Sequence, residues 1–196
     1  MAKFTSLTLA AIVAALAVAS GASAAVGTNV HKHGRLDRLR LKADTLASHN
    51  SARAEYSAEP LTWDRRLYRS SLRYARQCIF RDSGIKKYGE NTGSVFKLND
   101  TVSDAVTGWM RMMDLYEWER PEMPQGAQPF TQIVWKSTKS VGCAEVICPA
   151  EASNGLYDRP MKRIVCHYSP PGNIIGQYSA NVGRHISREG EPIIGL

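Results

Sequence analysis

Acidic residues are in deficit in this chain: 18 Asp and Glu stand against 25 Lys and Arg, a formal charge of +7. Cysteine is scarce, four residues in 196, and none is set in the close Cys-x2-Cys spacing on which most structural zinc modules are built. Neither a Gly-x-Ser-x-Gly elbow nor a Gly-x4-Gly-Lys loop occurs, which removes the usual sequence signs of α/β-hydrolase and P-loop chemistry. After residue 24 no apolar run reaches the length of a spanning helix, so no transmembrane segment is expected in the mature chain. Internal repeats are also missing.

What is present begins with an export signal. Residues 1–24 carry one basic side chain, Lys3, an apolar run over 7–18 and small residues ending Ala22-Ser23-Ala24, the pattern of a secretory signal peptide. The mature chain is then expected to start near Ala25 and is long enough for one domain with its own core. An oxidising route favours two disulfides among the four cysteines, with three pairings open, and zinc ligation as the competing use. The positive balance favours acidic polysaccharide, anionic lipid or nucleic acid in general, and secretion makes nucleic acid the least suited of these. The sequon Asn99-Asp100-Thr101 lies in a polar stretch and is expected to be accessible to glycosylation.

A flexible polar leader is expected over 25–40, with His31-Lys32-His33 in a solvated tail, running into a first helix predicted for 37–56. A second helix follows Pro60-Leu61-Thr62-Trp63 with Asp64 as its cap. Its buried stripe is read as Leu67, Ser71, Leu72, Ala75, Cys78 and Ile79, and its other side carries Arg65, Arg69, Arg73 and Arg76. Such a row is either a solvated face or a grip for anionic groups. The third helix opens at Thr101-x2-Asp104, with Val102, Ala105, Val106, Trp109, Met112, Met113 and Tyr116 as its apolar stripe. A long loop over 117–128 containing Trp118 comes next, then three strands over 130–135, 141–147 and 162–168, stopped by Pro170-Pro171-Gly172-Asn173. The tail over 184–196 has no strong pattern.

Four blocks, Tyr88-Gly89-Glu90-Asn91, Pro129-Phe130-Thr131-Gln132, Val141-Gly142-Cys143 and Cys166-His167-Tyr168-Ser169-Pro170-Pro171-Gly172-Asn173, together resemble the CAP superfamily of cysteine-rich secretory, antigen 5 and pathogenesis-related proteins. His49-Asn50-x2-Arg53 resembles the signature of that family's first helix, and the likeness spans residues 43–181. It implies an α+β, three-layer α-β-α sandwich over 41–183, and disulfides Cys78 to Cys148 and Cys143 to Cys166. It also implies a cleft of two histidines and two glutamates able to bind zinc. Carried over by position, that cleft becomes Asp82, Glu90, Met112 and Pro129, which leaves it no histidine. Such a set suits no transition metal, so neither metal site nor cofactor is expected, nor a metal-activated water or histidine base for hydrolysis. Asp82 and Glu90, if buried together, would raise one carboxyl pKa. His49 and His167 are read as structural groups, and His185 is left unassigned.

The expected protein is therefore secreted, extracellular, monomeric and not an enzyme. Loss of the tetrad favours an apolar ligand such as a sterol or fatty acid near Trp109, Met112, Tyr116 and Trp118, with Trp118 as the free aromatic, in a defence or host-interaction role. The alternative is an interaction module that docks on a receptor or cell-wall polymer through its basic face. A metal-dependent hydrolase is the least favoured.

Overall fold

In the computed structural model, which describes residues 34–122, 126–153, 155 and 158–186, the chain alternates helices with a four-stranded sheet. The expected signal peptide, leader residues 25–33 with His31 and His33, and tail residues 187–196 lie outside the described residues. Helix α1 spans Arg35–Ala54, so residues 35–40 belong to it and not to a flexible leader. Asp37 explains the early start, because its carboxylate accepts the Gly34 N–H at 2.9 Å and ties down the first turn. Leu41, Thr45, His49, Ala52 and Arg53 form its buried stripe.

A short strand β1, Thr62–Trp63, leads into α2, Arg65–Ala75, whose cap is Asp64: its carboxylate accepts the N–H groups of Arg66 and Leu67. Leu67, Ser70, Ser71, Tyr74 and Ala75 are buried, while Cys78 and Ile79 lie beyond the helix end. The edge strand β2 is Gly89–Val95, an element that the polar sequence Gly-Glu-Asn-Thr-Gly-Ser-Val did not announce. It exists because seven of its residues pair antiparallel with a partner strand.

Helix α3, Val102–Met110, starts at a Thr101/Asp104 capping box but stops one turn short of the predicted stripe. The chain tightens into a 3-10 turn at Arg111–Leu115, which rotates Met112 to a half-buried position and leaves Met113 exposed. Helix α4, Gln128–Val134, replaces the strand predicted over 130–135. Pro129 in its first turn is pre-set for a helix, and the apolar run reads as continuous because Phe130, Thr131, Gln132, Ile133 and Val134 are all buried. Strands β3, Ser140–Cys148, and β4, Met161–Ser169, follow, then a last turn of helix α5, Tyr178–Asn181.

The sheet runs β1-β3-β4-β2, with β1 parallel to β3 and the other pairs antiparallel. Period-two alternation divides the side chains of β3 and β4 between two cores. Val141, Cys143, Ile164, Cys166 and Tyr168 pack with residues of α1, α3 and α4. Ala144, Val146, Cys148, Met161 and Val165 pack with Tyr74 and Ala75 of α2. This is the expected α-β-α sandwich. Helix α2 lies directly on β3, since a Cβ at Gly142 would sit 2.2 Å from the Tyr68 backbone nitrogen. One disulfide, Cys143–Cys166, joins facing residues of β3 and β4; the other, Cys78–Cys148, ties the segment after α2 to the end of β3. The first tail residues also belong to the domain, because the Ile186 N–H donates to Glu55 O at 2.8 Å.

Candidate functional site

The Gly89-Glu90-Asn91 run lies on an edge strand, so its successive side chains point to opposite faces of the sheet. Glu90 stands opposite His167 in register, and Glu90 Oε2 is 2.8 Å from His167 Nε2. Its other oxygen accepts the Ser83 N–H at 2.7 Å. His167 is fully buried, with Tyr88 stacked at 5.7 Å, whereas the Glu90 side chain keeps 11% exposure. Burial pushes the Glu90 carboxyl up, but the hydrogen bonds from His167 and Ser83 together outweigh it and hold the group below its usual range. The four carried-over cleft positions include no histidine, but strand register sets His167 of the Cys-His-Tyr block beside Glu90. The pairing was not legible in the sequence because His167 and Glu90 are 77 residues apart and meet only through strand register.

On the other face Asn91 donates from Nδ2 to Pro129 O at 2.9 Å and to Tyr168 Oη at 3.3 Å. The network continues to His49, whose Nε2 lies 2.9 Å from Tyr168 Oη and whose Nδ1 lies 2.8 Å from Thr45 O. A carbonyl only accepts, so Nδ1 carries the proton and Nε2 accepts from the tyrosine. Burial lowers the His49 pKa from 6.5 to about 4 and pushes the Tyr168 hydroxyl up. His49 is thus a neutral, hydrogen-bonded structural group, as the sequence reading had it.

The four carried-over cleft positions fare unequally. Asp82 is exposed, and it is the backbone of its neighbour Ser83 that reaches Glu90, so the buried Asp82–Glu90 pair with a raised pKa does not form. Met112 is half-buried on the 3-10 turn. Pro129 meets β2 through its carbonyl and Asn91, not through Glu90. A carboxylate with both oxygens engaged, a thioether and a proline do not make a zinc donor set. The ligand atoms of His49, Cys143 and Cys166 do lie within 4.8 Å of one another, yet the two sulfurs are joined as a disulfide and offer no thiolate.

Among the aromatics named for an apolar ligand, Trp109 and Tyr116 keep only 4% and 5% exposure and are spent in the core. Trp118, read as free, packs edge-on against Tyr116 at 4.8 Å and Phe130 at 6.4 Å, with Arg184 5.5 Å above its ring. Among the described residues of this stretch, the apolar side chains offered to solvent are Met113 and Leu115. Arg65, Arg69, Arg73 and Arg76 are all exposed along α2, and Asn99 is exposed beside a mixed-charge recess that includes Asp37, Arg40 and Lys162. What sequence reasoning missed is that Arg35, Arg38 and Lys42 of α1 border the same recess as Arg65 and Arg69 of α2.

Losing the Glu90–His167 contact has a measurable cost. His167→Leu leaves a mostly buried carboxylate with one backbone donor and is expected to lower stability by roughly 2–3 kcal/mol at neutral pH, with His167→Gln, which keeps a donor, losing less. Denaturant unfolding of the two variants checks this; equal losses would show that the contact contributes only volume.

Known proteins resemble the chain at both levels. A profile of the cysteine-rich secretory protein family, CAP, matches residues 46–168. Pathogenesis-related protein 1C of Nicotiana tabacum is 37% identical over 142 residues, covering 68% of this chain and 77% of its own length. The fruiting body protein SC7 of Schizophyllum commune is 34% identical over 140 residues, covering 66% of this chain and 64% of its own. Among solved structures, MpPR-1i superposes with a TM-score of 0.57 at 24% identity, over 74% of this chain and 96% of that one. NaASP2, solved with zinc, gives 0.57 at 20% identity, over 78% of this chain and 95% of that one.

Proposed function

The chain belongs to the cysteine-rich secretory protein family, CAP, and from that premise we propose that it is a secreted, non-enzymatic binding protein that docks on an acidic extracellular polymer through its basic face. The observation that carries this reading is the convergence of two cationic rows, Arg35, Arg38 and Lys42 from α1 and Arg65 and Arg69 from α2, on one recess. Fixed positive charge on a folded surface attracts an anionic partner over a Debye length and gains little from isolated neutral ones. The pathogenesis-related names of the relatives support a defence or host-interaction role. The non-enzymatic reading is supported by the state of Glu90, the glutamate that the resemblance carries over to this chain: both its oxygens are engaged and its histidine partner is fully buried.

An apolar ligand such as a sterol or fatty acid is the second reading. Leu115 and Met113, with 54% and 38% exposure beside half-buried Met112 and Trp118, favour it. In that reading they would serve as an apolar shelf, in place of the aromatic site that the sequence suggested.

One sample separates the two. Purified mature protein is expected to be retained on an acidic polysaccharide and released by rising salt, while passing a neutral polysaccharide, and to take up no labelled sterol or fatty acid. Saturable lipid uptake without polymer retention would put the shelf first, and failure on every acidic polymer would end the docking reading.

A further inference from the structure

We propose that the recess between the first turns of α1 and α2 is a groove for an extended acidic polysaccharide, a polyuronate chain. The proposal deepens the docking reading and rests on it. The groove holds a volume of about 550 Å³ and, among the described residues, is lined by five cationic side chains and no carboxylate. Arg35, Arg38 and Lys42 recur at three and four residues along one face of α1, and Arg65 and Arg69 at four along α2. Each row therefore advances about one helical turn per charge, roughly 5 Å, a spacing suited to a polymer that presents one carboxylate per ring. All five are exposed.

The floor of the groove decides what kind of anion fits. Trp63 and Tyr68 lie side by side, ring centroids 5.7 Å apart and inclined by 36°, half-buried between the two cationic rows. An aromatic pair offers its faces to the C–H face of a sugar ring, and the guanidinium groups of Arg35, Arg65 and Arg69 beside it suit bidentate pairing with carboxylates. A simple phosphate needs neither the aromatic floor nor five cations spread over two helices. A lipid surface needs apolar side chains that project outward, whereas these rings are recessed; of the apolar residues lining the groove, Leu39 alone, at 55% exposure, projects. The volume lies inside the range of roughly 300–1,000 Å³ typical of ligand sites, so a few sugar rings are held rather than a point charge.

The test is titration of the mature protein with polygalacturonate, followed by calorimetry, for the wild type and three variants whose thermal midpoints are recorded first. Lys42→Gln with Arg69→Gln, both on the exposed rows, is expected to weaken binding about tenfold or more. Arg73→Gln with Arg76→Gln, on the same helix but outside the groove lining, is expected to stay within about twofold. Tyr68→Leu is expected to weaken binding about fivefold with the salt dependence unchanged, because it removes a stacking surface and no charge; should it unfold, the charge pair still decides. If the wild type binds no acidic polymer, the docking reading falls and the groove with it. If it binds but the Arg73 and Arg76 variant loses as much as the groove variant, docking stands and the groove is overturned. Equal competition by inorganic phosphate or by anionic vesicles would overturn the polyuronate assignment.

Discussion

Arg53→Lys is expected to cost about 3–5 kcal/mol of folding stability. Arg53 is fully buried near the end of α1 and has no carboxylate in its hydrogen-bond set. Its Nε donates to Glu59 O at 2.7 Å, Nη1 to Ile133 O at 2.7 Å and Trp135 O at 2.9 Å, and Nη2 to Thr138 O at 3.1 Å. One planar fork thus satisfies carbonyls in the loop before β1, at the end of α4 and in the turn toward β3. The last carbonyls of a helix have no partner within it, so the guanidinium acts as the C-terminal cap of α4. Burial lowers its pKa to about 10, which still leaves it charged at neutral pH. An ammonium is a point donor and does not span four directions, so Lys leaves buried carbonyls unpaired at about 1–3 kcal/mol each. Denaturant unfolding gives the number. A loss under about 1 kcal/mol for Arg53→Lys would mean that the interior relaxes around the missing fork and that the cap is not what holds α4 in place.

Between pH 6.5 and pH 4 the protein is expected to lose about 3 kcal/mol through His49 alone. The folded pKa of this histidine lies near 4, below its ordinary 6.5, because burial disfavours the cation, an effect that the Thr45 hydrogen bond opposes and the nearby Arg53 charge reinforces. The unfolded chain therefore binds a proton in this window that the folded chain refuses. The stabilisation is whole above pH 6.5 and is lost as pH falls toward 4, at about 1.4 kcal/mol per unit. Glu90, whose folded pKa is also depressed, adds a second loss at lower pH: its contribution is present above the unfolded value of 4.5 and disappears as pH falls through the folded one. His49→Gln keeps an amide near Thr45 O and Tyr168 Oη but cannot titrate, so its stability should vary less over this range even though it starts lower. Unfolding midpoints of both proteins at pH 7 and pH 4.5 decide the matter; parallel losses would assign the acid sensitivity elsewhere.

The limits of sequence reading here follow the range of the forces involved. Helices α1, α2 and α3 were legible because caps and apolar periodicity act within four residues: Asp64 accepts from Arg66 and Leu67, and Asp104 from Thr101. Strands β3 and β4 were legible from their apolar runs. Helix α4 was not, since the unbroken burial from Phe130 to Val134 carries no periodicity, and only Pro129 hinted at a helical first turn. Strand β2 was missed for the opposite reason: its residues are polar and glycine-rich, and β4 recruits it.

The site divides along the same line. The Gly-Glu-Asn, Phe-Thr-Gln and Cys-His-Tyr blocks carried the resemblance that implied the fold class and the family, while the basic balance and the leader with the pattern of an export signal bore on partners and compartment; each is a local property of the chain. Only the tertiary structure decided that Glu90 is paired with His167, that Trp109, Tyr116 and Trp118 are packed into or against the core, and that cations at 35–42 border the same recess as those at 65–69. Strand register, helix packing and the competition for buried volume bring together residues tens of positions apart, and no local pattern records which of them will meet.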